Sequence, residues 1–270
     1  MATHTSSIKD PSQYESKGYI LKESDFRESK ANKNFLAPDE SMPQSQFLEA
    51  NLSTEGNWYK KKNFLKNKPG AIFEYSNIAA GLAALVLEKA TIEPFNQFTT
   101  AYILKPLKMT GTGWSFNEVN FSEHSKLYSD PETPLAFYHL INYPDAGLIT
   151  SASDLGNYLS ELISGYMGTG KILNPESYQE LFKAQLTAGN YKERKENTFN
   201  DEYNMGVFME MSAKGQISHA GGDPGVATYL FFNPTTHIGK LLIVNTDLKK
   251  EGVQEFIKIW QTLEAYENRL

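Results

Sequence analysis

The sequence predicts an α+β fold, and three observations predict it. Helix-forming patterns dominate up to residue 202. Runs of β-branched and aromatic residues follow within residues 203–270, separated by a short turn. An amphipathic stretch then closes the chain. The expected organisation is a single domain over 1–270, with a mainly helical and loop part at 1–202 and antiparallel strands plus a terminal helix at 203–270. A chain of 270 residues, 40% of them apolar, buries a sizeable core and does not have a disordered composition.

Each element follows from local pattern. Residues 1–70 are polar and broken by Pro11, Pro38, Pro43 and Pro69. So long a stretch inside a compact domain carries short helices, and one is expected near residues 45–50. Pro69-Gly70 marks a turn. Residues 77–90 are rich in Ala and Leu and apolar almost all round, which predicts a helix buried on most sides. A helix over 95–103 ends before Pro106. Ser151 and Asp154 form a capping pattern for a helix through Leu162. Pro175 opens another, to residue 185, and the charged run 187–202 reads as a surface loop. Strands are expected at 216–219, 226–232 and 238–245, with Pro234 in the turn between the last two. The final helix, over 252–266, places Phe256, Ile259, Trp260 and Leu263 on one face.

Composition excludes several functions. Net charge is -6 with no basic run, so nucleic acid is not an expected partner. The absence of cysteine excludes disulfides and thiolate metal sites. His4, His124, His139, His219 and His237 lack metal-ligand spacing, so no metal and no cofactor is expected. No stretch has the length of a membrane span. The polar start from Met1 to Pro11 is no signal peptide, which implies a cytoplasmic protein if Met1 is the natural start. No Gly-x-Ser-x-Gly elbow is present, which argues against an α/β-hydrolase.

Two segments carry chemistry. The first is Tyr75-Ser76-Asn77, at the mouth of the buried helix. In an extended segment Tyr75 and Asn77 face the same side. A tyrosine serves as a general base only when a neighbouring cation pulls its pKa down. Asn offers one donor set and one acceptor to a substrate amide. The same three residues also read as a plain helix entry with Asn77 as N-cap. The second segment runs from His219 to Gly225 between two expected strands. Gly221 and Gly222 let a ligand backbone come close, and a strand edge there pairs with an extended amide. His219 would donate to a substrate carboxylate or tune a nearby base. The alternative is a Gly-rich turn with an incidental histidine. Residues 143–151 form a loop entering a capped helix, with no chemistry assigned.

The order of these pieces resembles a known family. Pro69-Gly70 with Phe73-Glu74-Tyr75-Ser76-Asn77, then Lys105-Pro106-Leu107-Lys108-Met109 with Thr112, resembles the β-lactamase-related serine hydrolases, of the class C β-lactamase and penicillin-binding protein kind. Ala146-Gly147-Leu148 with Ser151 and Asp154, and His219-Ala220-Gly221 with Gly225, are similar to that family's later blocks. Thr3-His4-Thr5-Ser6-Ser7 resembles its Thr-His-Thr-Ser-Gly stretch, with Ser7 in place of glycine. The resemblance covers essentially the whole chain. It implies a β-lactamase/transpeptidase-like fold, a helical subdomain plus an antiparallel sheet flanked by helices. It implies an acyl-enzyme formed by the Ser of Ser-x-x-Lys on an ester, amide, D-amino-acid peptide or β-lactam. Tyr75, Asn77 and His219 match catalytic positions, and Gly221 and Gly222 the substrate-binding strand. His219 stands where true class C β-lactamases have lysine, which favours an esterase or peptidase.

In the family, Ser-x-x-Lys precedes the Thr-His-Thr-Ser stretch, which here begins at residue 3. The resemblance therefore implies a chain lacking the N-terminal strands and the nucleophile helix, inactive as it stands, with apolar sheet surface open where those strands would pair. The one match in the chain, Ser6-Ser7-Ile8-Lys9, is followed by Asp10-Pro11 and no apolar helix, so it reads as a coincidence. The expected partner is a small-molecule or peptide substrate, and no oligomeric state follows from the sequence. Full-length relatives are often periplasmic or exported. A non-catalytic module that binds peptides or cell-wall fragments is the alternative to a hydrolase. A complete enzyme using Ser6 and Lys9 is the third reading.

Overall fold

The structure, a computed structural model, describes residues 1–23, 32–191, 204–212, 215–267 and 269. Helix α1 (Tyr14–Gly18) leads into strand β1 (Tyr19–Leu21). Helices α2 (Gln44–Leu52), α3 (Asn77–Thr91) and α4 (Phe95–Thr99) follow. Short strands β2 (Tyr128–Asp130), β3 (Thr133–Pro134) and β4 (Tyr138–Leu140) precede helices α5 (Ala152–Tyr166) and α6 (Pro175–Phe182). Strands β5 (Asn204–Met205), β6 (Glu210–Met211), β7 (Ile217–Asp223), β8 (Val226–Phe232) and β9 (Gly239–Val244) form one antiparallel sheet in sequence order. Helix α7 (Lys250–Glu267) ends the fold. No helix among the described residues is long and apolar enough to cross a membrane.

The sheet is covered on both faces. Leu230 and Phe232 of β8 alternate toward α5, where they join Leu159 and Leu162 in a buried cluster. Tyr229 and Phe231 point the other way, onto Phe256 and Trp260 of α7 at ring distances of 4.4 and 4.8 Å. At the far end of α7, buried Lys240 of β9 pairs with Glu267 at 2.8 Å. Strand β9 has β8 on one side and, among the described residues, no strand on the other. A second cluster joins Ile78 of α3 with Phe47 and Leu48 of α2, Tyr14, Ile20 and Ile141. The helical part therefore stands on its own apolar core beside the sheet.

Several elements differ from expectation. The helix begun at Phe95 loosens into a π-helical turn over Thr100–Leu104 before Pro106. The helix from Pro175 stops at Phe182, because Gln185 and Leu186 instead bond Met205 and Asn204 beside β5. The part at 1–202 also carries β1 to β4, at most three residues each and too short for a periodic signal. β1 pairs antiparallel with β4. The strand expected at 216–219 runs on through both glycines to Asp223. The turn falls at Pro224-Gly225, where Gly225 has φ 78°. The segment from His219 to Gly222 is thus strand, and the Gly-rich-turn alternative fails there. The loop expected over 187–202 lies, from residue 192 onward, outside the described residues.

Candidate active site

The site is built on the first turn of α3. Ser76, not Asn77, is the N-cap, and its hydroxyl accepts from the backbone N–H of Ala79 at 3.2 Å. Ser76 is extended, so Tyr75 and Ser76 enter as strand-like backbone and Asn77 opens the helix. Ser76 is fully buried and Tyr75 is 47% exposed. The buried serine thus anchors a motif whose tyrosine is partly exposed and stacked on one face.

Residues from the chain's beginning hold this turn. The Asp10 carboxylate accepts from Ser76 Oγ at 3.0 Å, from Asn77 N at 3.0 Å and from Ile78 N at 2.9 Å. A carboxylate at a helix N-terminus satisfies orphan donors and complements the dipole. His4 Nδ1 accepts from Ser76 N at 3.1 Å, which leaves the ring proton on Nε2. The His4 ring stacks on Tyr75 at 4.3 Å. Burial first, then the His219 charge, pushes the His4 pKa down to about 4, so the ring is neutral at pH 7.

Strand β7 carries the second motif. Strand β6 covers only Ile217 and Ser218, and among the described residues no strand pairs with the same edge of His219 to Asp223. His219 is exposed. A methyl group added at Gly221 would meet no heavy atom within 4 Å, and one at Gly222 only the Val226 carbonyl at 3.7 Å. The backbone there is open to an approaching ligand. The His4 ring stacks on Tyr75, and the His219 charge acts on that same ring. Asn77 follows Tyr75 at the start of α3, and Gly221 and Gly222 continue the β7 edge beyond His219.

The cleft is acidic. Burial raises the Tyr75 pKa, and Glu210, Asp10 and Asp223 raise it further. Burial lifts Glu210, across from Ser218 on β6, to about 7. Asp223 rises to about 6 through burial, with the Tyr19 hydroxyl bond opposing the rise. Beneath them lies Asp145, held by Tyr14 OH and by Asn142 Nδ2. Burial raises its pKa well above the carboxylate range, and the Asp223 and Asp10 charges add to the rise. Among the described residues, every influence on Tyr75 raises its pKa, against the phenolate that general-base chemistry needs.

The Ser6-Lys9 match does not form a site. Ser7 sits at φ 65°, and Ile8 bridges Phe64 as extended chain. Lys9 pairs with Glu74 at 3.7 Å, and Ser6 Oγ accepts from Ile8 N. No helical turn brings Ser6 and Lys9 onto one face. Sequence reasoning missed Asp10, Glu210, Asp223 and Asp145 as parts of the cleft, and gave His4 no role. Asp10 has no local signal, because its partners are 66 to 68 positions away.

A helical unit beside an antiparallel sheet, with Tyr-x-Asn at a helix mouth and His-x-Gly on the β7 strand, fits the β-lactamase/transpeptidase-like fold. The model of the Beta-lactamase family matches residues 3–264, and the chain belongs to that family. It is similar to Protein flp of Staphylococcus aureus (strain MW2), 25% identical over 72% of this chain and 37% of that protein. The chain thus spans little more than a third of the length of that relative. Among solved structures, the D-amino acid amidase from Ochrobactrum anthropi SV3 complexed with D-phenylalanine has a TM-score of 0.61 at 18% identity, over 100% of this chain and 71% of that one. A class C beta-lactamase has a TM-score of 0.61 at 16% identity, over 94% and 65%. The penicillin binding protein from Bacillus halodurans has 0.60 at 17%, over 96% and 70%. At these identities the likeness is one of fold.

Proposed function

We propose that this chain carries the substrate-holding and proton-transfer side of a serine hydrolase cleft, acting on an amide or ester through an acyl-enzyme. Tyr75 is the proton-transferring phenol, Asn77 holds the substrate amide, and His219 with the edge at Gly221 and Gly222 lines the acyl group. The observation that carries the reading is the stacking of Tyr75 on His4 at 4.3 Å, together with a β7 edge that β6 leaves uncovered from residue 219 onward. The single Ser-x-x-Lys match, Ser6 to Lys9, lacks the helical turn that a nucleophile and its lysine need to share a face. The amide substrate class draws on the amidase-like neighbours, one of them titled as a complex with D-phenylalanine.

A binding role for the chain by itself is the second reading. The upward push on the Tyr75 pKa favours it, because a neutral phenol donates a hydrogen bond but removes no proton. One experiment tests both readings. The purified chain is titrated with D-phenylalanine amide and followed by NMR, and a fluorophosphonate probe is applied in parallel. Saturable shifts confined to the surroundings of Tyr75, Asn77 and His219 are expected, with no labelling and no turnover. No shift up to the solubility limit would overturn the cleft assignment. Labelling lost in Ser6→Ala would restore Ser6 as the nucleophile.

A further inference from the structure

We propose that Asp10 is a positioning residue for Tyr75 and Asn77, with His4 as its second arm; the claim rests on the functional reading above. The argument starts from what a helix N-terminus needs. Ser76 already caps α3 through its hydroxyl, which satisfies the Ala79 N–H. Asp10 takes the two preceding donors, Asn77 N and Ile78 N, and also the proton of the capping hydroxyl. His4 takes the remaining one, Ser76 N. Every polar group of the buried Ser76 backbone N–H and side chain is thereby fixed from the segment at 4–10. The two side chains that face the cleft flank this locked residue on either side.

Ordinary capping does not require so much. One side-chain oxygen commonly serves an N-terminus, and here a serine already provides it. The extra carboxylate, from far away in sequence, adds three bonds to a turn that was already capped. His4 also adopts φ 50°, an uncommon backbone state for a residue with a side chain, at the place where its ring meets both Ser76 N and the Tyr75 face. The segment at 74–78 is tied again by Glu74 N to the His4 carbonyl at 2.8 Å. Together these contacts fix the angle at which Tyr75 leaves the helix and the rotation of Asn77 about the helix axis. Lys9 on Glu74 is exposed and adds little. Asp10 touches neither a reacting atom nor the cleft-facing side chains directly, so it acts through them.

The test separates positioning from plain stability. Asp10→Ala and the isosteric Asp10→Asn are compared with the wild type as full chains. The Tyr75 ring signals are read by NMR, since the stacked His4 ring shifts them upfield. In Asp10→Ala the upfield shift should collapse, and Asn77 and Ile78 amides should lose their charge-assisted downfield positions, while signals from the middle of α3 stay. Asp10→Asn keeps one acceptor oxygen and should recover part of both effects. Binding of D-phenylalanine amide should weaken about tenfold in Asp10→Ala and less in Asp10→Asn. Unmoved Tyr75 and Asn77 signals with a lowered melting temperature would reduce Asp10 to a cap and overturn the proposal. If Asp10→Ala does not fold, Asp10→Asn alone decides it by the same signals. A wild type that binds no amide fails the functional reading, and the ring and amide shifts still judge Asp10.

Discussion

At the scale of single residues, backbone conformation explains one departure from the family pattern. Ser7 stands where the resembling stretch has glycine, and its φ of 65° is the left-handed state that glycine adopts without cost. Its hydroxyl offsets the strain by donating to the Asn67 carbonyl at 2.8 Å, a bond worth about 1 kcal/mol. Ser7→Gly loses the bond and relieves the strain. Ser7→Ala loses the bond and keeps the strain, of about 1 kcal/mol. Ser7→Ala should therefore be the less stable of the two by about 1 kcal/mol in urea denaturation. Equal midpoints, or the reverse order, would show that the left-handed state carries no cost here. The same strain was invisible in the sequence. The Asp10-Pro11 that follows Ser6-Ser7-Ile8-Lys9 already argues against a nucleophile pair, and φ at Ser7 adds a backbone reason that the sequence does not show.

At the scale of elements, α3 shows what periodicity reveals and what it hides. Its apolar run predicted a helix over 77–90 buried on most sides; the helix runs Asn77–Thr91, but Ile78, Ala79, Gly81 and Ala84 alone are buried in it and Val86 is exposed. The pattern gave no sign of what lies against it. A methyl group at Gly81 would come within 2.4 Å of three Asn142 side-chain atoms. Asn142 is buried and bonds Tyr14, Asp145, the Asn77 carbonyl and Gln44. Gly81→Ala should thus drive Asn142 out of this network and cost about 2–3 kcal/mol, from overpacking plus unsatisfied polar groups. A chemical melt within about 0.5 kcal/mol of wild type would mean that α3 slides freely on its neighbours. Tyr75 and His219 were legible because each belongs to a motif compact in sequence. Glu210 was not, since a two-residue strand leaves no alternation and the burial that lifts its pKa is tertiary.

At the scale of the whole molecule, the acidic cleft sets how stability varies with pH. Burial depresses His4 to about 4, so its contribution is complete above the ordinary histidine value and is lost as pH falls through about 4. Glu210 at about 7 and Asp223 at about 6 act in the opposite sense. Their folded pKa values lie above the unfolded ones, so their contribution is complete in acid and is lost as pH rises through those values. Asp145, raised further, extends that loss. Unfolded histidines still titrate near pH 6.5, so the depressed His4, His139 and His219 keep adding stability there while the carboxylates subtract it. Glu210→Gln removes one subtracting group and should make the change in melting temperature between about pH 6.5 and 7.5 more positive than in the wild type. The same pH trend in both proteins would contradict the burial of Glu210. Fold class and the order of β7, β8 and β9 were thus readable from the chain. The acidic floor was not, because it gathers single carboxylates from segments distant in sequence.

The strand-like docking of the first residues has a kinetic side. Ile8 bridges Phe64, Leu65 N bonds the Ser7 carbonyl, and Asp10 reaches Ile78, so closing this contact encloses a loop of more than fifty residues. Local helical contacts within α3 form without it, whereas its N-terminal turn waits for that closure. Undocking the segment at 4–10 frees the turn without melting α5 or the sheet, since they pack on separate clusters. The first turn of α3 therefore depends for its order on a residue 66 to 68 positions earlier in the chain.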